Sequence, residues 1–204
     1  RNICWNQGNE RTTGSSKRPM KETGPVKNPE VPNDREKTMM EVHGTRFGTL
    51  KFEEDDVIRL EDGLMGFPLS RRYIMFPYSD DSSFFWLQSV DEPEIAFIVV
   101  NPFDFFADLE FEVQDDDARA IGLKRSEDVE MFTLVNIPEG HPEDMRTNLA
   151  GPVVVNVENR KGRQVLMKNF SPRQPLIPEE MRGKYRKKSA RRASGLPVEQ
   201  RAAV

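Results

Sequence analysis

Cysteine is nearly absent. The single Cys4 among 204 residues lies in a polar leader, so neither an intrachain disulfide nor a cysteine-bearing metal site can be assembled. Histidine is almost as scarce, and neither His43 nor His141 is placed with a serine or cysteine that it could activate. There is no G-x-S-x-G, no P-loop and no G-x-G-x-x-G, so the expectation is a protein that is not an enzyme and holds no cofactor. Asp115-Asp116-Asp117 lacks the alternating ligands and central glycine of a calcium loop and is explained by helix capping, and Asp55-Asp56 and Asp80-Asp81 sit in turns where aspartate is common, so no metal is expected. No apolar run approaches the ~20 residues that a bilayer crossing takes. The N-terminus lacks the charged-then-apolar pattern of a secretion signal, and the expected location is the cytoplasm.

What is present divides the chain in three. Residues 1–42 are rich in Asn, Gly, Lys, Glu and Pro and have almost no apolar periodicity, so they read as a disordered leader with Met39 and Met40 near its end. Residues 43–170 hold 13 Lys and Arg against 25 Asp and Glu, and residues 171–204 hold 9 against 3. The middle is strongly acidic and carries the patterning; the end is basic. A compact acidic domain repels phosphates and attracts basic protein surfaces, which argues for a protein partner and against direct nucleic-acid binding by the folded part. The domain is expected over 43–172, followed by a basic disordered tail over 173–204.

The most apolar stretch runs from Phe84 to Phe103, two runs of aromatic and β-branched residues parted by Asp91-Glu92-Pro93-Glu94. It reads as two strands around which the core is built. Thr45–Phe52 reads as an earlier strand with Leu50 and Phe52 on one face. Val57–Leu60 and Tyr73–Pro77 are two more, separated by a glycine- and proline-punctuated loop, Glu61–Pro68, that exposes or half-buries Leu64, Met65 and Phe67. Leu109–Val113 alternates apolar and acidic residues, and Asp115–Asp117 favours the start of a short helix that stops near Gly122. Val129–Val135 adds a strand, and Val153–Val157 pairs with Gln164–Met167 across a turn at Asn159–Gly162. Eight or nine short strands and one short helix predict an all-β fold, a small antiparallel β-barrel-like domain with disordered tails, working as a monomer.

Four of these segments, in order, resemble the flagellar assembly factor FliW family: Gly63-Leu64-Met65-Gly66-Phe67; Leu87-Gln88-Ser89 with Ala96–Phe103; Asn148–Asn156; and Arg160–Val165. Gly151 stands where that family usually has alanine. The resemblance covers residues 45 to about 170, leaving both tails outside. It implies a non-enzymatic regulator that binds flagellin and the RNA-binding translational repressor CsrA, so that flagellin, by occupying the regulator, frees CsrA to repress flagellin synthesis. Competition of this kind is mass action through one shared protein.

The candidate partner-binding residues are Gly66, Phe67, Asn101, Pro102, Phe103, Phe105 and Asn148. Phe67, between Gly66 and Pro68, is either a loop anchor or a core plug. Phe103, Phe105 and Phe106 follow Pro102 at a strand end, where one or two could project as a hot spot. Asn148 caps a turn or makes a contact. In the tail, Arg182, Lys184, Tyr185, Arg186, Lys187 and Lys188 could follow a phosphate backbone, making this end a nucleic-acid-binding arm, or fold back on the acidic domain.

Overall fold

The computed structural model of the chain describes residues 3–5 and 38–183. Its strands are β1 (Ile3–Trp5), β2 (Met39–Thr45), β3 (Gly48–Glu53), β4 (Ile58–Leu60), β5 (Arg72–Pro77), β6 (Phe84–Ser89), β7 (Ala96–Val100), β8 (Phe111–Val113), β9 (Val129–Asn136), β10 (Arg146–Thr147), β11 (Val153–Asn156), β12 (Lys161–Gln164) and β13 (Gln174–Pro175). One helix, α1, spans Asp115–Ala120, with its three aspartates forming the first turn, and residues 179–183 add a further helical turn.

Seven strands close a barrel in the order β12, β4, β5, β6, β7, β9, β11 and back to β12. The expected all-β barrel is there, but it is not antiparallel throughout. Strand β12 lies parallel to β4, with Lys161 opposite Arg59 and Gly162 opposite Leu60. The reason is parity: a closed ring of seven strands cannot alternate up and down all the way round, so one seam has to be parallel.

Side-chain alternation then sorts the core into three clusters. Ile58, Leu60, Tyr73, Leu87, Val99, Phe132, Val153 and Val155 fill the barrel. Ile74, between inward-facing Tyr73 and Met75 on β5, points outward and is covered by Val42 and Phe52 of the β2–β3 hairpin. Met131 and Val154 point outward on the other side, beneath Phe111, Val113, Ala118 and Ile121 of the β8–α1 segment.

Several expected boundaries move. Thr45–Phe52 is not one strand, because the chain reverses at Arg46-Phe47 between β2 and β3. The Thr45 hydroxyl holds that reversal, donating to Gly48 O and accepting from Phe47 N. The β2–β3 hairpin starts at Met39, not His43, since β2 pairs along β3 from Met39 and buries Val42. Ile3–Trp5, read as disordered leader, pairs with β8. The last hairpin turns at residues 157–159, so Gly162 lies within β12 and not in the turn. Arg160 makes this possible by taking φ +57°. Residues 173–183 are not disordered tail: β13 pairs with β10, and Leu176 is buried, its N–H bonded to Met145 O. The rest of the expected leader, and the tail from 184 on, lie outside the described residues.

Candidate partner-binding site at the barrel mouth

Strand polarity places the loops of the barrel at two ends. At the end called the mouth, β4, β6, β9 and β12 finish and β5, β7 and β11 begin. Here the Glu61–Arg71 loop crosses the opening. Leu64 drops into the barrel core, where it is only 2% exposed. The Phe67 N–H donates to Leu64 O at 2.7 Å, folding the loop into a tight turn. The Phe67 ring meets Phe97 edge-on, centroids 5.0 Å apart. Met65 N donates to the Gln164 side-chain oxygen at 2.8 Å, and Gln164 Nε2 donates to Gly151 O at 3.0 Å.

A polar network fixes the opposite side of the loop. Gln88 and Ser89, expected within the core strands, are fully buried but do not merely pack. Gln88 Nε2 reaches the carbonyls of Ser89, Pro93 and Ile95 at 2.8–3.0 Å, holding the turn between β6 and β7. Ser89 Oγ donates to Ser70 Oγ at 3.2 Å and accepts from Glu92 N, and Ser70 Oγ donates to the Glu92 carboxylate. Ser70 lies in the mouth loop, so the network ties that loop to the β6–β7 turn. Burial first, and then the nearby Glu92 and Asp91 charges, push the Tyr73 hydroxyl up to about 12.

Asp91 adds an electrostatic clamp. Its carboxylate accepts from the backbone N–H groups of Arg71 and Arg72, both at 2.8 Å, and from Arg72 Nε at 2.7 Å. Burial alone would raise its pKa, but these donors outweigh burial and hold it below the usual carboxylate range. As pH falls, the unfolded chain therefore takes up the proton first, and the stability Asp91 contributes above about pH 4 is lost as pH drops through its folded value. Melting temperature is expected to fall more steeply below about pH 4 in the natural protein than in Asp91→Asn; identical acid profiles would show that the clamp is idle.

The result is an apolar rim. Met65, Phe67, Leu69, Ile137 and Leu166, respectively 52, 36, 75, 38 and 70% exposed, all leave the barrel at or just past its mouth. Exposed large apolar side chains gathered at one end of a barrel are the usual mark of an interaction surface.

The sequence-predicted residues are not all brought together. Gly66, Phe67 and Asn148 lie at the mouth. Asn101, Pro102, Phe103 and Phe105 lie beyond the end of β7, at the opposite end of the barrel. There Asn101 Oδ1 accepts from Phe103 N, and Pro102 is buried. Phe103 packs edge-on against Phe111 and Phe105 against Phe84, each pair 5.8 Å apart, so neither ring projects as a free anchor. Arg182 donates to Ile177 O and lies 3.9 Å from Asp144. Lys184, Tyr185, Arg186, Lys187 and Lys188 lie outside the described residues. Leu69, Ile137, Leu166 and Gln164 were missed, and no periodicity in the sequence marks them.

Among the described residues, His141, Glu143 and Asp144 have potential metal-ligating atoms within 4.8 Å of one another, but His141 Nδ1 already faces Glu143 Oε1 at 3.4 Å and Asp144 faces Arg182. Asp115–Asp117 form no such group. No helix among the described residues is long and apolar enough to cross a membrane.

The family model for the FliW protein matches residues 41–176, which span the whole barrel and both of its outer coverings. The chain belongs to the FliW family. A flagellar assembly factor FliW from Magnetococcus marinus is 69% identical over 156 residues, covering 76% of this chain and 96% of that protein. The flagellar assembly factor FliW of Bacillus subtilis is 34% identical over 132 residues, covering 65% of this chain and 92% of its own length. A crystal structure of a flagellar assembly factor FliW superposes with a TM-score of 0.63 at 26% identity, covering 69% of this chain and 99% of that one. The FliW signature residues thus have definite physical roles here: the glycine-rich segment closes the mouth, and Gln88-Ser89 brace it.

Proposed function

We propose that this protein is a flagellar assembly factor that acts by binding proteins through the apolar rim at its barrel mouth. Flagellin and the translational repressor CsrA are the two partners, and flagellin translation is thereby coupled to flagellin export. The observation that carries the reading is the rim itself: five exposed apolar side chains at one end of the barrel, three of them (Met65, Phe67 and Leu69) on a loop held by buried Leu64, by Gln164 and by buried Ser70 and Ser89 with Glu92. Such rigidity suits recognition, because little ordering entropy is lost on binding. The excess of carboxylates over residues 43–170 suits a basic RNA-binding partner and repels the RNA that such a partner carries. The protein acts in the cytoplasm as a monomer, and catalysis has no part in the mechanism.

The test is calorimetric titration of the full chain with the same organism's CsrA and flagellin, each alone and then in competition, with labelled RNA alongside. Binding of both proteins, with flagellin displacing CsrA and RNA ignored, is the expected result. Failure to bind either protein, with steeply salt-dependent RNA binding instead, would sink the reading in favour of the basic C-terminal residues as a nucleic-acid arm.

Phe67→Ala is expected to weaken rim binding by about 1–4 kcal/mol and to lower stability only by about 0.5–1.5 kcal/mol, the scale of the lost ring pair with Phe97. Phe103→Ala, at the opposite end of the barrel, half-buried and packed on Phe111, is expected to lower stability by about 1–3 kcal/mol and leave affinity alone. A melting curve beside a binding curve separates the two; the reverse pattern would move the interface to the Asn101–Phe106 end.

A further inference from the structure

The mouth loop is pinned at Leu64 by burial and at Phe67 by the Phe97 ring, but between them its backbone has one long-range polar attachment, Met65 N to Gln164 Oε1. Gln164 is itself held by the Gly151 carbonyl, 13 residues earlier in the chain and across the hairpin. Position 151 has little room. A Cβ there would lie 2.9 Å from Asn148 Nδ2 and 3.1 Å from Gln164 Nε2. Both atoms are the ends of flexible side chains, so a methyl group could be accommodated, but only if the amides moved. Asn148 Oδ1 beside it is buried without a hydrogen-bond partner, so the neighbouring amide has no bond of its own there to hold it against a shift.

We infer that Gln164 is a positioning residue for the rim, and that glycine at 151 is the condition under which it works. The missing Cβ lets the Gln164 amide reach the Gly151 carbonyl, which turns its side-chain oxygen toward Met65. That bond fixes the stretch carrying Met65 and Phe67, and a fixed stretch binds without the cost of ordering it. Alanine at 151 would push the Gln164 and Asn148 amides aside, weaken the Met65 attachment and leave the loop to rely more on its two apolar contacts. One side chain and one absent methyl group therefore tune the presentation of the rim without either touching a partner. The affinity arm of this inference rests on the proposed function; the loop arm does not.

The experiment compares the full-length natural chain with Gln164→Ala, Gly151→Ala and the double variant. It measures hydrogen exchange at the Met65 amide and titrates each protein with CsrA and with flagellin. Gln164→Ala is expected to speed Met65 exchange about tenfold while the barrel amides of Val99 and Val154 stay protected. Affinity for CsrA and for flagellin is expected to fall about three- to tenfold. Gly151→Ala should move both readouts the same way, and the double variant should be no worse than Gln164→Ala, because both substitutions act on one clasp. Unchanged Met65 exchange in Gln164→Ala, or additive effects in the double variant, would overturn the inference. If the natural chain bound neither protein, the proposed function would fail, while the Met65 exchange would still decide whether the clasp exists.

Discussion

Leu64→Ala is expected to cost about 2–5 kcal/mol of folding stability, the range for removing a large aliphatic side chain from a core that collapses only in part. Leu64 is 2% exposed and packs with Leu60, Tyr73, Leu87 and Val153 inside the barrel, although it belongs to a loop. The substitution would do two things at once. It would leave a cavity under the barrel mouth, and it would remove the contact that seats the loop carrying Met65 and Phe67. Chemical denaturation should show a lower midpoint at unchanged slope, as expected when stability falls without a change in the denatured state. A loss below about 1 kcal/mol would mean that the loop does not plug the barrel. Set beside Phe67→Ala, three residues on, the contrast is the point: the same loop buries one side chain in the core and leaves another exposed on the proposed interface.

Gly63→Ala should be comparably severe, for a different reason. Gly63 has φ +67°, and a Cβ there would lie 2.4 Å from Phe67 O and 2.8 Å from Pro68 Cα, both backbone atoms that cannot step aside. The left-handed conformation adds about 1–2 kcal/mol for an alanine, and the overlap adds about 1–3 kcal/mol of strain. The loop must open to relieve this, so the melting temperature and rim binding should drop together. If Gly63→Ala melted and bound like the natural chain, the tight apposition of Gly63 and Phe67-Pro68 would not exist in solution.

The strands legible in the sequence were those whose residues need only local chemistry to identify. Phe84–Ser89, Ala96–Val100 and Val129–Asn136 announce themselves by runs of aromatic and β-branched side chains, and Asp115–Ala120 by acidic residues at a helix start. The glycine-rich loop and the Leu87-Gln88-Ser89 triplet were legible as family signatures. Their tasks were not. Gln88 looks like one more strand residue until the Pro93 and Ile95 carbonyls are placed beside it, and Ser89 until Ser70 arrives from 19 residues earlier. The reversal at Arg46-Phe47 was hidden because alternation continues smoothly on both sides of it.

The sequence by itself determined an all-β chain of FliW type, its acidic middle and the loops that punctuate it, because composition, period-two alternation and turn chemistry act between near neighbours. Tertiary structure alone decided the rest. Closure of seven strands imposed the parallel seam between β12 and β4 and sorted the candidates, leaving Phe67 and Asn148 at the mouth and sending Phe103 and Phe105 to the far end as packing residues. It also gathered an exposed apolar rim from Met65, Leu69, Ile137 and Leu166, residues with no common pattern, since they come to one end only because strands far apart in sequence finish there.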